Sequence, residues 1–486
     1  MTEHHRVAII GAGFGGIATA IGLRRDGCDD FVVIDKASGV GGTWHHNRYP
    51  GAECDVKSHL YCFSFEPNPR WSRRYAAQPE ILAYLEGVVE RYGLVPHLRL
   101  STAVQSMTWE EDRSRWRLVT ESGEITADVV VSAVGMFNEP VWPTIEGLHD
   151  FEGPVVHTAR WPDDERFEGK RVAVIGTAAS SVQLVPELAE SVEQLFVFQR
   201  TPVWVLPKED GAYTDEEISA FLDDPEALAA LRQQLTDLVN RTMTFDDEEL
   251  IRAAAENGWR NIDAVTDPEI REKLTPTLPW GSRRPLLSNR YYPTFNRPNV
   301  ELVTDPIEKV VPEGVVTADG TLREVDAVVC ATGFAVTKYL SVIDVVGRDG
   351  RRLAEDWADE PRAYLGVLAA GYPNLVMLYG PNTNNGSIVS MLEYQAEFAV
   401  RQVRWMTDEG IAWFDVRPEV VEDFDQRLQT ALDAVEVWKA QPDGYYRGPS
   451  GRIVTQWPHT MLDYEAGLRA IDESILETRR TAGAER

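Results

Sequence analysis

Residues 6–16, RVAIIGAGFGG, constrain the fold more than any other stretch of the chain. An apolar run of this kind is the pattern of a strand buried on both faces of a parallel sheet. Helical spacing follows at Ile17, Ala20, Ile21 and Leu23, and a second apolar run, FVVIDK, covers 31–36. Strand, glycine-rich turn, helix and strand in this order make a dinucleotide-binding unit. Gly11 forms the tight turn, Gly13 lets a pyrophosphate approach the backbone, and Gly16 lets helix pack on strand. Phe14 and Gly15 complete the turn. Asp35, 19 positions after Gly16 (35 − 16), offers a carboxylate to ribose hydroxyls, with Lys36 beside it. The helix N-terminus supplies partial positive charge to the phosphates.

GGTWHHNRYPGAECD, residues 41–55, follows that unit directly. Gly41 and Gly42 allow a flat ligand close to the backbone. Trp44 and Tyr49 can cover an aromatic ring, and Asp55 adds a carboxylate. An amphipathic helix is expected over 80–93, with Ile81, Leu82, Leu85, Val88 and Val89 on one side. Strands are expected around 103–109 and 115–120. ADVVVSAVG, 127–135, then returns the chain to the first sheet.

A region rich in proline and tryptophan, 140–162, leads into a second strand–turn–helix, KRVAVIGTAASSVQ (170–183), and a following strand, FVFQR (196–200). The turn departs from the glycine fingerprint, reading Gly176, Thr177, Ala178, Ala179, Ser180, Ser181. Its strand ends in Gln199-Arg200-Thr201 with no acid. A carboxylate there would repel a 2′-phosphate, whereas Arg200 can pair with it, so the sequence favours NADP over NAD. The stretch 212–275 is acidic and helical in pattern, with Leu228, Leu231, Leu235 and Leu238 at core spacing. A proline-rich loop then presents Arg283 and Arg284. On spacing alone Arg284 can be catalytic, a second phosphate anchor or a salt-bridged loop cation. DAVVCATGF, 326–334, repeats the strand-to-glycine ending. PNLVMLYGPNTNNGS, 373–387, and the helix from Met391 onward read as a return to the first unit.

The length of 486 residues suggests two or three domains. Lys plus Arg is 48 and Asp plus Glu is 77, so the net charge of 48 − 77 = −29 repels nucleic acid and anionic membrane. Anionic cofactors must therefore be held by local arginines or helix N-termini. Cys28, Cys54, Cys62 and Cys330 form no CxxC pair, and no disulfide framework or metal site is indicated. Neither a signal peptide nor a membrane-spanning apolar run is expected, which makes a reduced cytoplasmic location the default.

Two further patterns give the chain a family likeness. Phe151, Gly153, His157, Trp161 and Pro162 fit FxGxxxHxxxWP, and Gly42, Trp44, Tyr49, Pro50, Gly51 and Asp55 fit GxWxxx(x)(F/Y)PGxxxD. With both, and with the order of elements from about 5 to about 460, the chain resembles the Baeyer–Villiger monooxygenases, single-chain flavoproteins with FAD and NADPH sites. The resemblance implies an α/β fold of two Rossmann-like dinucleotide-binding domains, the second with a small helical insert. The expected divisions are 1–145 and 335–486 for FAD, 146–208 and 286–334 for NADP, and 209–285 for the insert. It implies oxygen insertion beside a ketone carbonyl through a flavin peroxide, with NADPH and O2 consumed, an ester or lactone formed, and sulfoxidation alongside.

Residue roles follow from the same resemblance. Arg284 corresponds to the active-site arginine and Asp55 to its partner. Arg200 and Arg283 correspond to the pair that reads the 2′-phosphate, although the family more often has lysine at the second position. Met391 falls near the flavin. Gly42, Thr43, Trp44, Asp55, Tyr61 and Val104 are also expected around FAD, and Thr177, Ala179, Ser180, Ser181, Gln183 and Thr201 around NADP. His157 is expected to be a hydrogen-bonded hinge residue, not a ligand or base. The GPNTNNGS loop is similar to the acetophenone-oxidising branch, and the stretch at Tyr445–Tyr446 departs from the usual Ser-Trp-Tyr. Three other readings compete: an N- or S-hydroxylating flavin monooxygenase, a disulfide reductase using Cys54 and Cys62, and a non-catalytic module in which Ala178 marks decay.

Overall fold

A computed structural model describes residues 3–358, 360–440, 444 and 446–481; Tyr445 lies outside them. The architecture is mixed α/β with two parallel sheet cores. In the first, Glu3–Ile10 lies between Phe31–Ile34 and Gly123–Ser132, all parallel, with Val7 opposite both Phe31 and Val129. Val7, Ala8 and Ile9 are wholly buried, which is why this strand is apolar without alternation. Leu98–Arg99 extends the sheet beyond Phe31–Ile34.

The Gly123–Ser132 strand is long enough to serve three partners. One edge bonds Glu3–Ile10. The other is shared: 123–127 pair antiparallel with Arg115–Thr120, and 130–132 pair parallel with Leu375–Met377. Val104–Glu110 and then Asp344–Val346 complete that side. The chain thus returns to its first sheet after building the second, as 373–387 suggested. The helix Ile388–Glu409 packs on the first helix, Phe14–Arg25, closely enough that a Cβ on Gly22 would lie 2.8 Å from Val400.

The second sheet runs Val300–Val303, Gln194–Phe198, Arg171–Ile175, Ala327–Cys330, Val155–His157, all parallel. Three antiparallel strands, Ile307–Val311, Gly314–Thr317 and Leu322–Glu324, lie beside it in the chain. Between Gln194–Phe198 and Val300–Val303 stands the helical insert: Asp215–Asp223, Pro225–Thr242, Glu248–Ile262 and Pro268–Leu274. A short parallel pair, Val205–Leu206 with Leu286–Leu287, joins its two ends. Each insert helix begins on a side chain that accepts first-turn N–H groups: Thr214, Asp224, Asp247 and Asp267. Such caps each contribute roughly 1 kcal/mol, and they explain how so acidic a stretch holds its helices.

The leucines of the insert do not act alike. Leu228 and Leu235 are buried, but Leu238 is 52% exposed against 8% for Leu235. The spacing predicted one apolar stripe, and the helix Pro225–Thr242 turns its last member to solvent. Leu235→Ala should therefore cost about 2–4 kcal/mol through its cavity, and Leu238→Ala less than about 0.5 kcal/mol. Urea midpoints of the two variants check this; equal losses would place Leu238 in the core.

Candidate active site

A continuous cavity of about 1430 Å³ opens where the strands of both sheets end, and its wall includes Ile10, Ile34, Ile175 and Phe198, the last residues of four of them. Open parallel sheets bind ligands at these carboxyl ends. Two glycine turns face the space and are built alike. Gly11 (φ 112°) lies so close to the end of a neighbouring strand that a Cβ would sit 2.3 Å from the Ala133 oxygen, and Gly176 (φ 107°) stands 2.6 Å from the Ala331 oxygen by the same measure. Only glycine fits either position.

Gly13 and Ala178 occupy equivalent places before their helices, with extended backbone at φ −84° and −89°. The methyl of Ala178 therefore adds no backbone strain. Unlike the four insert helices, Phe14–Arg25 and Ala179–Ser191 begin with no side-chain cap. Residues of both first turns line the cavity, so their N–H groups can receive an anion. Gly13 also meets Gly42 backbone to backbone, since a Cβ on Gly42 would lie 3.1 Å from the Gly13 Cα. Asp35 lines the cavity and ties the first turn together, its Oδ2 accepting from Ala12 N at 2.7 Å and its Oδ1 from Ala37 N at 2.8 Å. Lys36 donates to Asn138 Oδ1 at 2.5 Å. The two turns, each followed by a helix without a side-chain cap, fit one dinucleotide in each unit.

The 41–55 loop spans from one unit to the other. Trp44 packs in the first core and donates from Nε1 to the Tyr61 hydroxyl at 3.2 Å. Tyr49 does something the sequence did not suggest. It is buried in the second core and donates to Gln183 Oε1 at 2.8 Å, while Gln183 Nε2 donates back to the Glu53 carbonyl at 2.9 Å. Gly51 (φ 80°) lets the loop touch the helix holding Gln183, where a Cβ would lie 2.6 Å from the Gln183 oxygen. The loop then delivers Asp55 to Arg284. Nη2 and Nε of Arg284 donate to Asp55 Oδ2 at 2.6 and 3.1 Å, and both residues line the cavity.

Phe14, Gly15, Thr43, Val104, Thr177, Ala179, Ser180, Thr201, Arg200 and Arg283 also face this space. Arg200 is exposed at its edge, just past Gln194–Phe198. Three expected residues do not line it. Met391 is wholly buried one turn into its helix, and Ile388 and Leu392 take the wall positions. Gly16 lies behind its turn, where a Cβ would strike the Gly11 oxygen at 1.9 Å. Ser181, in the first turn of Ala179–Ser191, is wholly buried. His157 is buried outside the cavity, its Nδ1 accepting from Ala159 N at 3.1 Å and its ring edge-on to Trp142; burial lowers its pKa. His46 does line the wall, and burial lowers its pKa to about 4, so it stays neutral there. Sequence reasoning missed Lys208, whose side chain is 3% exposed and ion-paired to Glu53 at 2.5 Å. A lone lysine after a strand gives no signal of that partner.

Residues 8–214 match the family model of the pyridine nucleotide-disulphide oxidoreductases. A Baeyer–Villiger monooxygenase of Streptomyces coelicolor is 42% identical, the match covering 99% of this chain and 94% of that one. The chain belongs to the Baeyer–Villiger monooxygenases. A second member, from Pseudomonas aeruginosa, is 40% identical over 99% of this chain and 92% of its own. The NADP+-bound cyclohexanone monooxygenase of Rhodococcus sp. Phi1 superposes with a TM-score of 0.89 at 32% identity, covering 99% of this chain and all of that one. The protein is thus an FAD- and NADPH-dependent monooxygenase that takes a small molecule and O2 and inserts oxygen in the Baeyer–Villiger manner. Among the described residues no helix is long and apolar enough to cross a membrane.

The disulphide chemistry in the name of the matching family model finds no apparatus in this Baeyer–Villiger monooxygenase. All four cysteines are free; Cys54, Cys62 and Cys330 are buried. Burial raises the Cys54 and Cys62 thiols and pushes Cys330 up to about 12. Thiolate, the reactive form, is therefore scarce at neutral pH. Titration of the native protein with a thiol reagent should find about one reactive group, the half-buried Cys28, and the same count after anaerobic reduction with NADPH. Two new thiols on reduction would reinstate a redox pair.

Proposed function

We propose that Arg284 is the catalytic cation of the reaction and that Asp55 orients it. The observation that supports this is the pairing itself: two N–H groups of Arg284 converge on one oxygen of Asp55 in the wall of the cavity shared by both nucleotide units. Bound FAD, reduced by NADPH, supplies the activation of O2. The guanidinium supplies a fixed positive charge where negative charge develops as oxygen is inserted beside the carbonyl. A donor aimed in advance at such charge typically contributes on the order of a hundredfold in rate. Asp55 spends two of the arginine's donors and so sets its plane. Trp44, Tyr61, Ile388 and Leu392 form apolar parts of the wall that limit water.

Arg200 and Arg283 are the proposed readers of the NADP 2′-phosphate, both at the cavity and both outside the strands. Gly11, Gly13 and Gly42 form the proposed FAD cradle, and Gly176 with Ala178 the NADP cradle. The proposed substrate class is a ketone, with sulfides as a second class open to the same oxidant. The proposed divisions follow the sheets: 1–145 and 335–486 for FAD, 146–208 and 286–334 for NADP, and 209–285 for the insert. Four free thiols support a reducing, cytoplasmic setting.

Arg284→Ala should abolish ester formation from a ketone, by about a hundredfold or more, while NADPH oxidation stays measurable. Product analysis beside NADPH consumption tests this, and unchanged ester formation would remove Arg284 from the mechanism. Arg200→Gln should raise the KM for NADPH about tenfold or more and leave the KM for NADH nearly unchanged, since the lost contact is to the 2′-phosphate. A parallel rise for both nucleotides would assign Arg200 a general structural role.

A further inference from the structure

Asp55 is one of two carboxylates, separated by a single residue, that the 41–55 loop carries across to the second unit. The other is Glu53, and it meets Lys208 at 2.5 Å. Lys208 has a side chain only 3% exposed, with Nζ 4.4 Å from the centre of the Tyr75 ring and 3.5 Å from the Cys54 carbonyl oxygen. Its ammonium therefore touches the residues on the N-terminal side of Asp55, at a side chain and at the backbone.

Lys208 and Arg284 also share a support. Lys208 follows Val205–Leu206, and Arg284 precedes Leu286–Leu287, the strand paired with it. Asn289 closes the same ribbon, accepting from Lys208 N at 2.8 Å and donating to the Lys208 carbonyl at 2.7 Å. One small ribbon thus presents two cations, and one loop from the first unit presents two carboxylates. Gln183 already holds the Glu53 carbonyl, and Cys54 N donates to the Ala76 carbonyl at 3.0 Å. The Lys208–Glu53 pair adds a charged side-chain anchor two residues before Asp55.

We propose that Lys208, through Glu53, is a positioning residue for oxygen insertion: it fixes the backbone of Asp55 and so the plane of the Arg284 guanidinium. The inference rests on the proposed role of Arg284 and assigns Lys208 no contact with substrate or cofactor. Burial of Lys208 gives the pair its leverage, because an ammonium withdrawn from water is held strongly by its partner and tolerates poor geometry badly.

The test is the ratio of ester formed to NADPH consumed. This ratio does not depend on the fraction of enzyme that is folded, so a merely structural defect leaves it unchanged. Lys208→Met strands Glu53, and Lys208→Met/Glu53→Gln removes both charges together to keep the fold. FAD content and melting temperature are measured on each. In the double variant the ratio should fall about tenfold with hydrogen peroxide released in place of ester, while the KM for NADPH stays within about twofold. Lys208→Arg, which keeps the charge, should restore most of the ratio. A ratio equal to wild type in a flavin-loaded double variant overturns the inference, as does failure of Lys208→Arg to restore it. Arg284→Ala, assayed in parallel, separates the two claims. If it still forms ester, the role of Arg284 fails and Lys208 has nothing to position. If it forms none while the Lys208 variants match wild type, only the positioning role fails.

Discussion

The ion pair of Arg284 with Asp55 ties the loop that leaves the first sheet to the ribbon beside the second, where Tyr49–Gln183 and Glu53–Lys208 also cross. Its geometry depends on features spread over 229 positions of chain. Gly41 and Gly42 turn the loop out of the first unit, Gly51 lets it lie against the Gln183 helix, and Tyr49 plugs it into the second core. Each step is short-range and local, and the result is a carboxylate delivered to a loop that the sequence places far away. Neither residue of the pair is fully buried, with side-chain exposures of 39% for Arg284 and 27% for Asp55. The pair can therefore be reached by a small molecule in the cavity, at the cost of weaker attraction than a dry pair would have. A site that must receive substrate cannot be sealed around its own charge.

The same reasoning accounts for where the chain leaves N–H groups unpaired. The insert helices begin on Thr214, Asp224, Asp247 and Asp267, each satisfying its first turn. The helices Phe14–Arg25 and Ala179–Ser191, whose first turns line the cavity, begin on Gly13 and Ala178, which offer no side-chain acceptor. A chain with a net charge of −29 repels anionic cofactors at long range. Uncapped helix starts and, in the proposed assignment, the arginines at 200 and 283 counter that repulsion locally. Replacing glycine by alanine in the second turn is compatible with this, because the position adopts an extended backbone open to any residue.

Much of this was legible in the sequence where pattern is local. The strand runs at 6–10 and 127–132 were apolar without alternation because both faces are covered, and their pairing followed from that. The turn residues Gly11 and Gly176 could be read because no other side chain fits their backbone. Pairing across the chain was harder. Asp55 and Arg284 were brought together by family likeness, since spacing alone left the arginine with three roles. Tyr49 was expected over a ring, but its neighbours are set by the helix it docks on, which no local pattern reveals. Met391 was expected near the flavin; it is wholly buried, and the residues three before and one after it face the cavity. Leu238 kept the helical spacing of its neighbours yet lies on the solvent side of the helix, while Val239 beside it packs against the core. Lys208 was invisible because burial of a lysine depends wholly on a distant carboxylate.

In the proposed assignment the Asp55–Arg284 pair serves oxygen insertion and not cofactor binding. Single-turnover kinetics on Asp55→Asn separate the two most directly. The variant is reduced by NADPH without air, and the rate is recorded. It is then mixed with O2 and a ketone, and ester is counted per reduced enzyme. The account predicts reduction within a few-fold of wild type, and ester per enzyme lower by about tenfold or more. Ester per reduced enzyme equal to wild type, with only NADPH affinity diminished, would contradict it and make the pair a cofactor anchor.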